Sequence, residues 1–442
     1  MLERGLGPWG ALSANVLNMV GVGPFLTIPL ALAAMGGPQA MVGWVLGAGL
    51  CLCDGLVWAE LGAALPNSGG SYYYLREAYG RNGLGQLMCF LFLWQTLLTG
   101  PFSIASGAVG FSEYMSFIAP GLSHPALVFV AVLVCLTNVW LLYRNIRSID
   151  RLSIAITVVV IATCCWIVIS GAMHFHRALA FAFPPGAFRM SEHFWAGLGA
   201  TTLIAVYDYG GYNNVCLLGG EVKHPRRNIP RAVIFSILLL AGLYLLMNLS
   251  IIGSLDWHLA QNSHAVAADF MQLLYGHKAG LLISALVLVV SFGAVFANML
   301  GYSRIPYAAA VEGSFFAPFA RLHKTGKFPT VSLLFMGVAS AIASLFTLAE
   351  LIKVLIVVQA IFQFAAQCFA VELLRRRGLI GRESYRMPLY PLPAIIALAG
   401  WMYIALSSGW RYLGIGMAMV IAGSGIYFLK ARHERSWPFQ VL

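Results

Sequence analysis

Long apolar stretches, separated by short polar or basic segments, recur along the whole chain. Each is close to the length of about 20 residues that an α-helix needs to cross a bilayer. We therefore predict an all-α polytopic membrane protein with a single transmembrane domain over residues 1–442. Its predicted spans, about twelve, are 6–34, 39–65, 84–111, 125–143, 152–171, 194–218, 232–253, 279–302, 330–348, 351–373, 393–408 and 412–429.

Composition supports a membrane location. Hydrophobic residues make up 60% of the chain and charged residues 10%, whereas soluble proteins carry about 25% charged residues. The first apolar segment is too long for the apolar core of a signal peptide and lacks a convincing cleavage site. We expect this segment to remain in the protein as its first helix.

The basic residues that give the chain its formal net charge of +11 are distributed unevenly between the two sides of the predicted membrane. Of the 27 Lys and Arg, 22 fall at one side of the predicted spans, the side that also holds both termini. The positive-inside rule places that side in the cytoplasm. We expect a multi-pass protein of the cytoplasmic (inner) membrane with a cytoplasmic tail at 430–442. We expect membrane lipid to surround the protein, and no nucleic-acid partner is needed to explain its positive charge.

Two of the predicted spans are interrupted in the middle. Residues 207–214 of the sixth read YDYGGYNN, and residues 21–24 of the first read GVGP. Backbone groups freed at bilayer depth must be satisfied, so such breaks are tolerated where they line a cavity. Breaks at corresponding places in two halves point to a transporter built from inverted repeats with a site at the midplane. The halves would be residues 6–171 and 194–373, with two additional helices in 393–429.

The breaks also indicate the kind of ligand. Unpaired N–H groups at the N-terminal ends of half-helices suit a carboxylate. Carbonyls at the opposite broken ends suit an ammonium group or a cation. A zwitterion fits both, so we expect a small-molecule substrate that is an amino acid or an amine.

Two aspartates within the predicted spans are candidates for coupling. Asp208 lies beside the second break. Its three interpretations are a proton-coupling site, a binding site for a cationic substrate, and a structural hydrogen-bond acceptor. Asp54 lies inside the second predicted span, where an aspartate is costly without a partner or a proton. Direct coupling, an interhelical hydrogen bond and an inner water pathway are its three interpretations.

Four further polar residues are candidates for coupling or gating. Glu60 and Glu221 lie near the basic loops, where ion pairs or an inner gate are the expected roles. Gln95 and Thr99 lie four residues apart in the third predicted span, on one helical face that would line a pocket.

Other classes of protein lack sequence support. The eight cysteines lie within predicted spans and form no paired CxxC motifs, so we predict no metal site. The sequence has no HExxH motif, no nucleophile with its base and no Walker motif. We therefore predict neither an enzyme nor an ATP-driven pump, and no cofactor. A channel or structural subunit would not require two matched breaks.

Several motifs carry a family resemblance. Residues 60–80 resemble E-L…P-x-S-G-G-x-Y-x-Y…G, residues 221–230 resemble E-x-K-x-P-x-R-x-I-P, and residues 303–313 resemble S-R…A-x-x-x-G. These motifs are similar to those of the amino acid, polyamine and organocation (APC) superfamily of transporters. Residues 21–23 are similar to its G-S-G loop, with Val22 in place of the serine. Residues 209–213 resemble the Y-G-G-W-N segment of the L-type amino acid transporters and their bacterial relatives.

This resemblance implies a LeuT-like core of five plus five inverted helices, with helices one and six broken, and alternating access. It implies that N–H groups of the first break bind the substrate carboxylate and that carbonyls before the paired glycines accept its ammonium group. It further implies that Tyr207 and Tyr209 lie beside the substrate and that Asn298 lies near the pocket for its side chain. Asn213 would lie where some relatives carry a residue linked to gating. The implied substrate-binding residues are Gly21, Val22, Gly23, Tyr207, Tyr209, Gly210, Gly211, Asn213 and Asn298.

The resemblance favours neutral or broad L-amino acids as substrates, with cationic amino acids or polyamines as the alternative because of Asp208. Several relatives carry a lysine in helix five, and residues 152–171 have none. A lysine-based mechanism is therefore not carried over to this chain. Symport with H+, symport with Na+ and exchange stay open, as does the oligomeric state.

Overall fold

The structure is a computed structural model that describes residues 4–143, 146–324, 326–381 and 383–439. Within these ranges the chain is helical, with isolated β-bridges and no β-strand. The helices are α1 Pro8–Met19, α2 Gly23–Leu26, α3 Ile28–Met35, α4 Met41–Ala64, α5 Ser71–Tyr79, α6 Leu84–Ile118, α7 His124–Leu142, α8 Ile146–Met173, α9 Arg177–Ala180, α10 Glu192–Tyr209, α11 Asn214–Leu217, α12 Pro225–Ile252, α13 Trp257–Ala260, α14 Val266–Tyr275, α15 His277–Tyr302, α16 Arg304–Val311, α17 Thr330–Ala343, α18 Leu348–Gln359, α19 Ala365–Arg376, α20 Leu392–Ser407 and α21 Trp410–Glu434.

Eight helical segments of the described chain are long and apolar enough to cross a membrane. The first span adds a ninth if its two parts, Pro8–Leu26 and Ile28–Met35, count as one helix bent by 56°. The shorter apolar helices α17 and α20 and the interrupted pair α10 and α11 occupy the remaining predicted spans. The prediction of an all-α polytopic membrane protein is confirmed.

Some boundaries differ from the prediction for local reasons. The ninth predicted span ran to residue 348, but α17 ends at Ala343 and α18 begins at Leu348. Thr347 and Glu350 form a capping box, which fixes the start of α18. The third predicted span ended at residue 111, whereas α6 continues to Ile118.

The two interrupted helices lie inside the bundle. α1 packs against α8, α12 and α15, while α10 packs against α3, α4 and α20. α6 and α15 form a second wall that faces both. Because the breaks are surrounded by other helices, their freed backbone groups face protein and a cavity rather than lipid.

Candidate substrate-binding site

Both breaks open into one cavity, which is also lined by residues of α6, α15, α18 and α20. The first break separates α1 from α2, and the second separates α10 from α11. Nine of the residues predicted from sequence line this cavity: Gly21, Val22, Gly23, Tyr207, Asp208, Gly210, Gly211, Asn213 and Asn298.

The first break leaves backbone donors free. Val20 donates its N–H to the Val16 carbonyl at 2.7 Å, and the next bond runs from the Phe25 N–H to the Val22 carbonyl at 3.0 Å. Outside the helices of the described chain, no backbone hydrogen bond uses the N–H of Gly21 or Val22 as donor. Gly21 and Val22 line the cavity, so their free N–H groups are available to bind an anion there.

Side chains of other helices satisfy the carbonyls that flank the first break. The Tyr244 hydroxyl of α12 donates to the Met19 carbonyl at 2.9 Å. The Tyr114 hydroxyl of α6 donates to the Phe25 carbonyl at 2.8 Å. The break is thus held from both ends, and its free donors keep a fixed position.

The second break lies directly against α1. Gly211 has a φ of +109°, which favours glycine. A Cβ on Gly211 would lie 2.8 Å from the Asn18 carbonyl carbon, too close for any other residue without displacement. The chain therefore turns here in a way that brings the two breaks into contact.

Two asparagines that the sequence analysis missed tie the breaks together. Asn15 donates to the Tyr212 carbonyl at 2.6 Å and accepts from the Val215 N–H at 2.8 Å. Asn214 donates to the Ala14 carbonyl at 3.0 Å. The available signal was an asparagine within an apolar span, because polar side chains in membrane helices bind neighbouring helices or line cavities.

Asp208 lies between the two breaks and is 1% exposed. Thr27 donates a hydrogen bond to Oδ2, while Oδ1 has no hydrogen-bond partner among the described residues. A Cβ on Gly23 would overlap Oδ1, so only glycine allows this approach. Asp208 therefore presents one unpaired oxygen beside the free donors of the first break.

The wall opposite the breaks is polar. The Tyr207 hydroxyl donates to Ser106 Oγ at 2.9 Å, and Ser103 Oγ donates to Asn298 Oδ1 at 2.8 Å. Gln95 and Thr99 do not line the cavity, although Ser103 continues their helical face one turn further along α6. Gln95 instead donates to Gln363 at 2.8 Å. Thr99 is buried, and its Oγ1 has no partner in the described chain.

The structure places the Tyr209 side chain away from the cavity. Its ring packs edge-on against Trp44 at 5.7 Å between centroids and stacks on Tyr244 at 5.5 Å. Consecutive helical residues point about 100° apart, so the side chains of Tyr207 and Tyr209, two positions apart, point in nearly opposite directions. Of the two tyrosines, Tyr207 lines the cavity.

Asp54 lies one residue behind the cavity wall and is fully buried. It accepts hydrogen bonds from the Tyr212 hydroxyl at 2.6 Å and from Trp401 Nε1 at 3.0 Å. Tyr212 and Trp401 both line the cavity, and Trp401 stacks on Phe364 at 4.0 Å. Asp54 therefore joins α4 to the second break and to α20 through interhelical hydrogen bonds, while its part in coupling or in a water pathway stays a prediction.

Replacing Trp401 with phenylalanine is expected to lower the free energy of unfolding by about 1–3 kcal/mol, because Asp54 loses a buried donor while the aromatic packing stays. Chemical unfolding of the purified protein in detergent measures this change. Trp410→Phe is the matched control, since Trp410 is 86% exposed and its loss should change little. If Trp401→Phe and Trp410→Phe had the same free energy of unfolding, the hydrogen bond from Trp401 to Asp54 would not be important for stability.

Glu60 and Glu221 lie outside the cavity lining, in two ion pairs. Glu221 accepts from Arg304 at 2.7 and 3.0 Å, with both side chains 3% exposed. Glu60 accepts from Arg375 at 2.7 and 2.8 Å and from the Met387 N–H at 2.8 Å. Each pair joins segments that are distant in sequence, as expected for structural ion pairs or for an inner gate.

The described residues contain no group of three or more His, Cys, Asp or Glu that could hold a metal ion. All eight cysteines are free thiols. The chemistry of the cavity is therefore recognition by backbone donors, carbonyls, hydroxyls, amides and one carboxylate.

The sequence pattern of the family described as "Amino acid permease" matches residues 6–425. The chain belongs to this family. The permease is 26% identical over 459 residues to the serine/threonine exchanger SteT of Bacillus subtilis (strain 168), covering 98% of each chain. It is 26% identical to the human large neutral amino acids transporter small subunit 2, covering 97% of this chain and 80% of the relative.

Another similar protein is the branched-chain amino acid permease BcaP of Bacillus subtilis (strain 168). It is 23% identical over 450 residues, which cover 98% of this chain and 94% of the relative. The family and these relatives are amino acid transporters. The chain is accordingly an amino acid permease of the APC superfamily and not an enzyme, as the motifs predicted.

Proposed function

We propose that this permease is a secondary active transporter that moves neutral L-amino acids across the cytoplasmic (inner) membrane by alternating access. The observation that carries this proposal is the meeting of both helix breaks in one cavity with free N–H groups. In membrane proteins, irregular backbone at this depth is found where it binds a substrate or lines a pathway.

The proposed roles follow from the two ends of a zwitterion. The N–H groups of Gly21, Val22 and Gly23 bind the substrate carboxylate. The carbonyls of Tyr209 and Gly210 accept from its ammonium group, a role that needs only the Tyr209 backbone. Tyr207 and Asn298 contact the substrate side chain across the cavity, while Asn213 lies where the second break resumes as α11.

Neutral side chains suit the lining beyond the breaks. Leu355, Ile356 and Phe364 supply apolar surface there, and Gln359 supplies an amide. The printed names of the relatives also refer to serine, threonine, large neutral and branched-chain amino acids. A cationic amino acid or polyamine is the second candidate, favoured by Asp208 as the one carboxylate among the described lining residues.

We propose that residues 6–171 and 194–373 are inverted repeats, since the breaks occupy the first helix of each. The basic residues support an orientation with both termini in the cytoplasm. The last two helices, α20 and α21, lie outside this repeat, although Trp401 of α20 reaches the cavity.

The substrate class is tested by thermal stabilisation of the purified permease, because a ligand that binds only the folded state raises its stability by mass action. Serine, leucine, lysine and putrescine are compared at equal concentration, with and without Na+. We expect neutral amino acids to raise Tm, with ~2.7 kcal/mol of stabilisation at 100 times Kd. Stabilisation by lysine or putrescine alone would support the second candidate, and none by any amino acid would contradict the proposal.

A further inference from the structure

The Asp208 carboxylate lies beside the place where the carboxylate of a substrate is proposed to bind. Its Oδ1 approaches Gly23 so closely that a Cβ there would overlap it, and Gly23 is one of the three donors assigned to the substrate. Oδ1 is buried and unpaired within the described structure, while Oδ2 already accepts from Thr27. Two carboxylates, one of the protein and one of the substrate, would then lie side by side at the first break.

No cation of the described protein balances these charges, because no Lys, Arg or His lines the cavity. The titratable groups close to Asp208 are phenols, and the adjoining helices α2 and α3 carry no titratable side chain. Three charged residues of α4 and α18 are engaged elsewhere: Asp54 with Tyr212 and Trp401, Glu350 with Thr347, and Lys353 over the Tyr412 ring. The phenols are Tyr207 and Tyr209 of α10 and Tyr244 of α12, and the acid nearby on α6 is Glu113.

Two carboxylates that lie side by side in a buried site cannot both stay ionised, because there is little water to screen their repulsion. We propose that Asp208 takes up one proton when the permease binds a neutral amino acid, so that substrate and H+ bind together. This inference rests on the proposed function and names its coupling ion. The proton adds to the unpaired Oδ1 from the aqueous side and returns to water when the substrate leaves.

Protonation changes the contact as well as the charge. A protonated Oδ1 is a hydrogen-bond donor, so it can donate to the substrate carboxylate that an ionised Oδ1 would repel. Substrate binding raises proton affinity and proton binding raises substrate affinity by the same factor, as linkage requires. Affinity for a neutral amino acid should therefore fall as pH rises, by roughly tenfold per pH unit where Asp208 is ionised in the empty site.

Isothermal titration calorimetry tests this inference. Binding of the best neutral amino acid is measured in buffers of different ionisation enthalpy, which gives the number of protons taken up. The titrations are repeated over a series of pH values. At the pH values where Asp208 is ionised in the empty site, we expect about one proton per substrate for the wild type and none for Asp208→Asn, whose amide can donate as the protonated acid does. Asp208→Glu should keep the uptake, and the exposed Asp256→Asn serves as control.

The possible results separate this inference from the proposed function. Amino acid binding by the wild type without proton uptake at any pH of the series, and with an affinity that does not change with pH, overturns the coupling and leaves the function standing. Uptake that persists in Asp208→Asn overturns the role of Asp208, as does Na+-dependent binding that this variant loses. No binding of any amino acid by the wild type overturns the proposed function, and the coupling with it.

Discussion

Substrate binding is expected to fall below detection when Gly211 is replaced by leucine. Gly211 has a φ of +109°, a region that is unfavourable for residues with a side chain. Its Cβ would lie 2.8 Å from the carbonyl carbon and 2.9 Å from Cγ of Asn18. A leucine must therefore separate the second break from α1, which displaces the donors and acceptors from each other.

Ligand-induced thermal stabilisation and uptake into liposomes measure this effect. Gly242→Leu is the matched control, because Gly242 of α12 has no heavy atom within 4 Å of an added Cβ. The control should bind and transport as the wild type does. A folded Gly211→Leu variant with normal affinity would contradict the proposal that the two breaks form one site.

Removing the charge of Glu221 is expected to destabilise the permease by about 3–5 kcal/mol, since Glu221→Gln leaves the buried guanidinium of Arg304 unpaired. Ser303 Oγ, at 2.9 Å from Arg304, accepts one hydrogen bond but carries no charge. Chemical unfolding in detergent measures the loss. Adding Arg304→Gln should restore part of it, because the double variant buries no unpaired charge.

The exposed pair of Arg226 and Glu383 provides the control. Its nitrogen and oxygen are 4.0 Å apart and its side chains are 65% and 91% exposed, and such pairs contribute little. Glu383→Gln should therefore unfold like the wild type. A Glu221→Gln variant of normal stability but altered transport would indicate that the Arg304 pair is an inner gate.

Asp208 shows how far the sequence leads towards the site. Its neighbours in the chain indicated a break at bilayer depth and a costly carboxylate, but left its role open among three interpretations. Thr27 is 181 residues away in sequence, and Gly23 lies in the other break. Only the packing of α2 against α10 shows that one oxygen is bonded and the other free.

Tyr209 and Glu60 illustrate the same limit. Resemblance assigned Tyr209 to the substrate, yet its direction depends on where α10 ends and on the space between Trp44 and Tyr244. Glu60 pairs with Arg375, 315 residues further along the chain. The sequence predicted ion pairs near the basic loops, but local sequence cannot show which distant helix ends meet.

The sequence by itself determined the membrane class, the positions of the spans, the two breaks and the family. The membrane class, the spans and the breaks depend on the hydrophobicity of each segment and on the positions of glycine and proline within it. These act through the local cost of exposing backbone groups to lipid, so they can be predicted residue by residue. The tertiary structure alone decided which breaks and side chains share the cavity, and that Asn15, Asn214 and Thr27 belong beside it. Those relations depend on contacts between helices far apart in the chain, which the pattern of a single span does not contain.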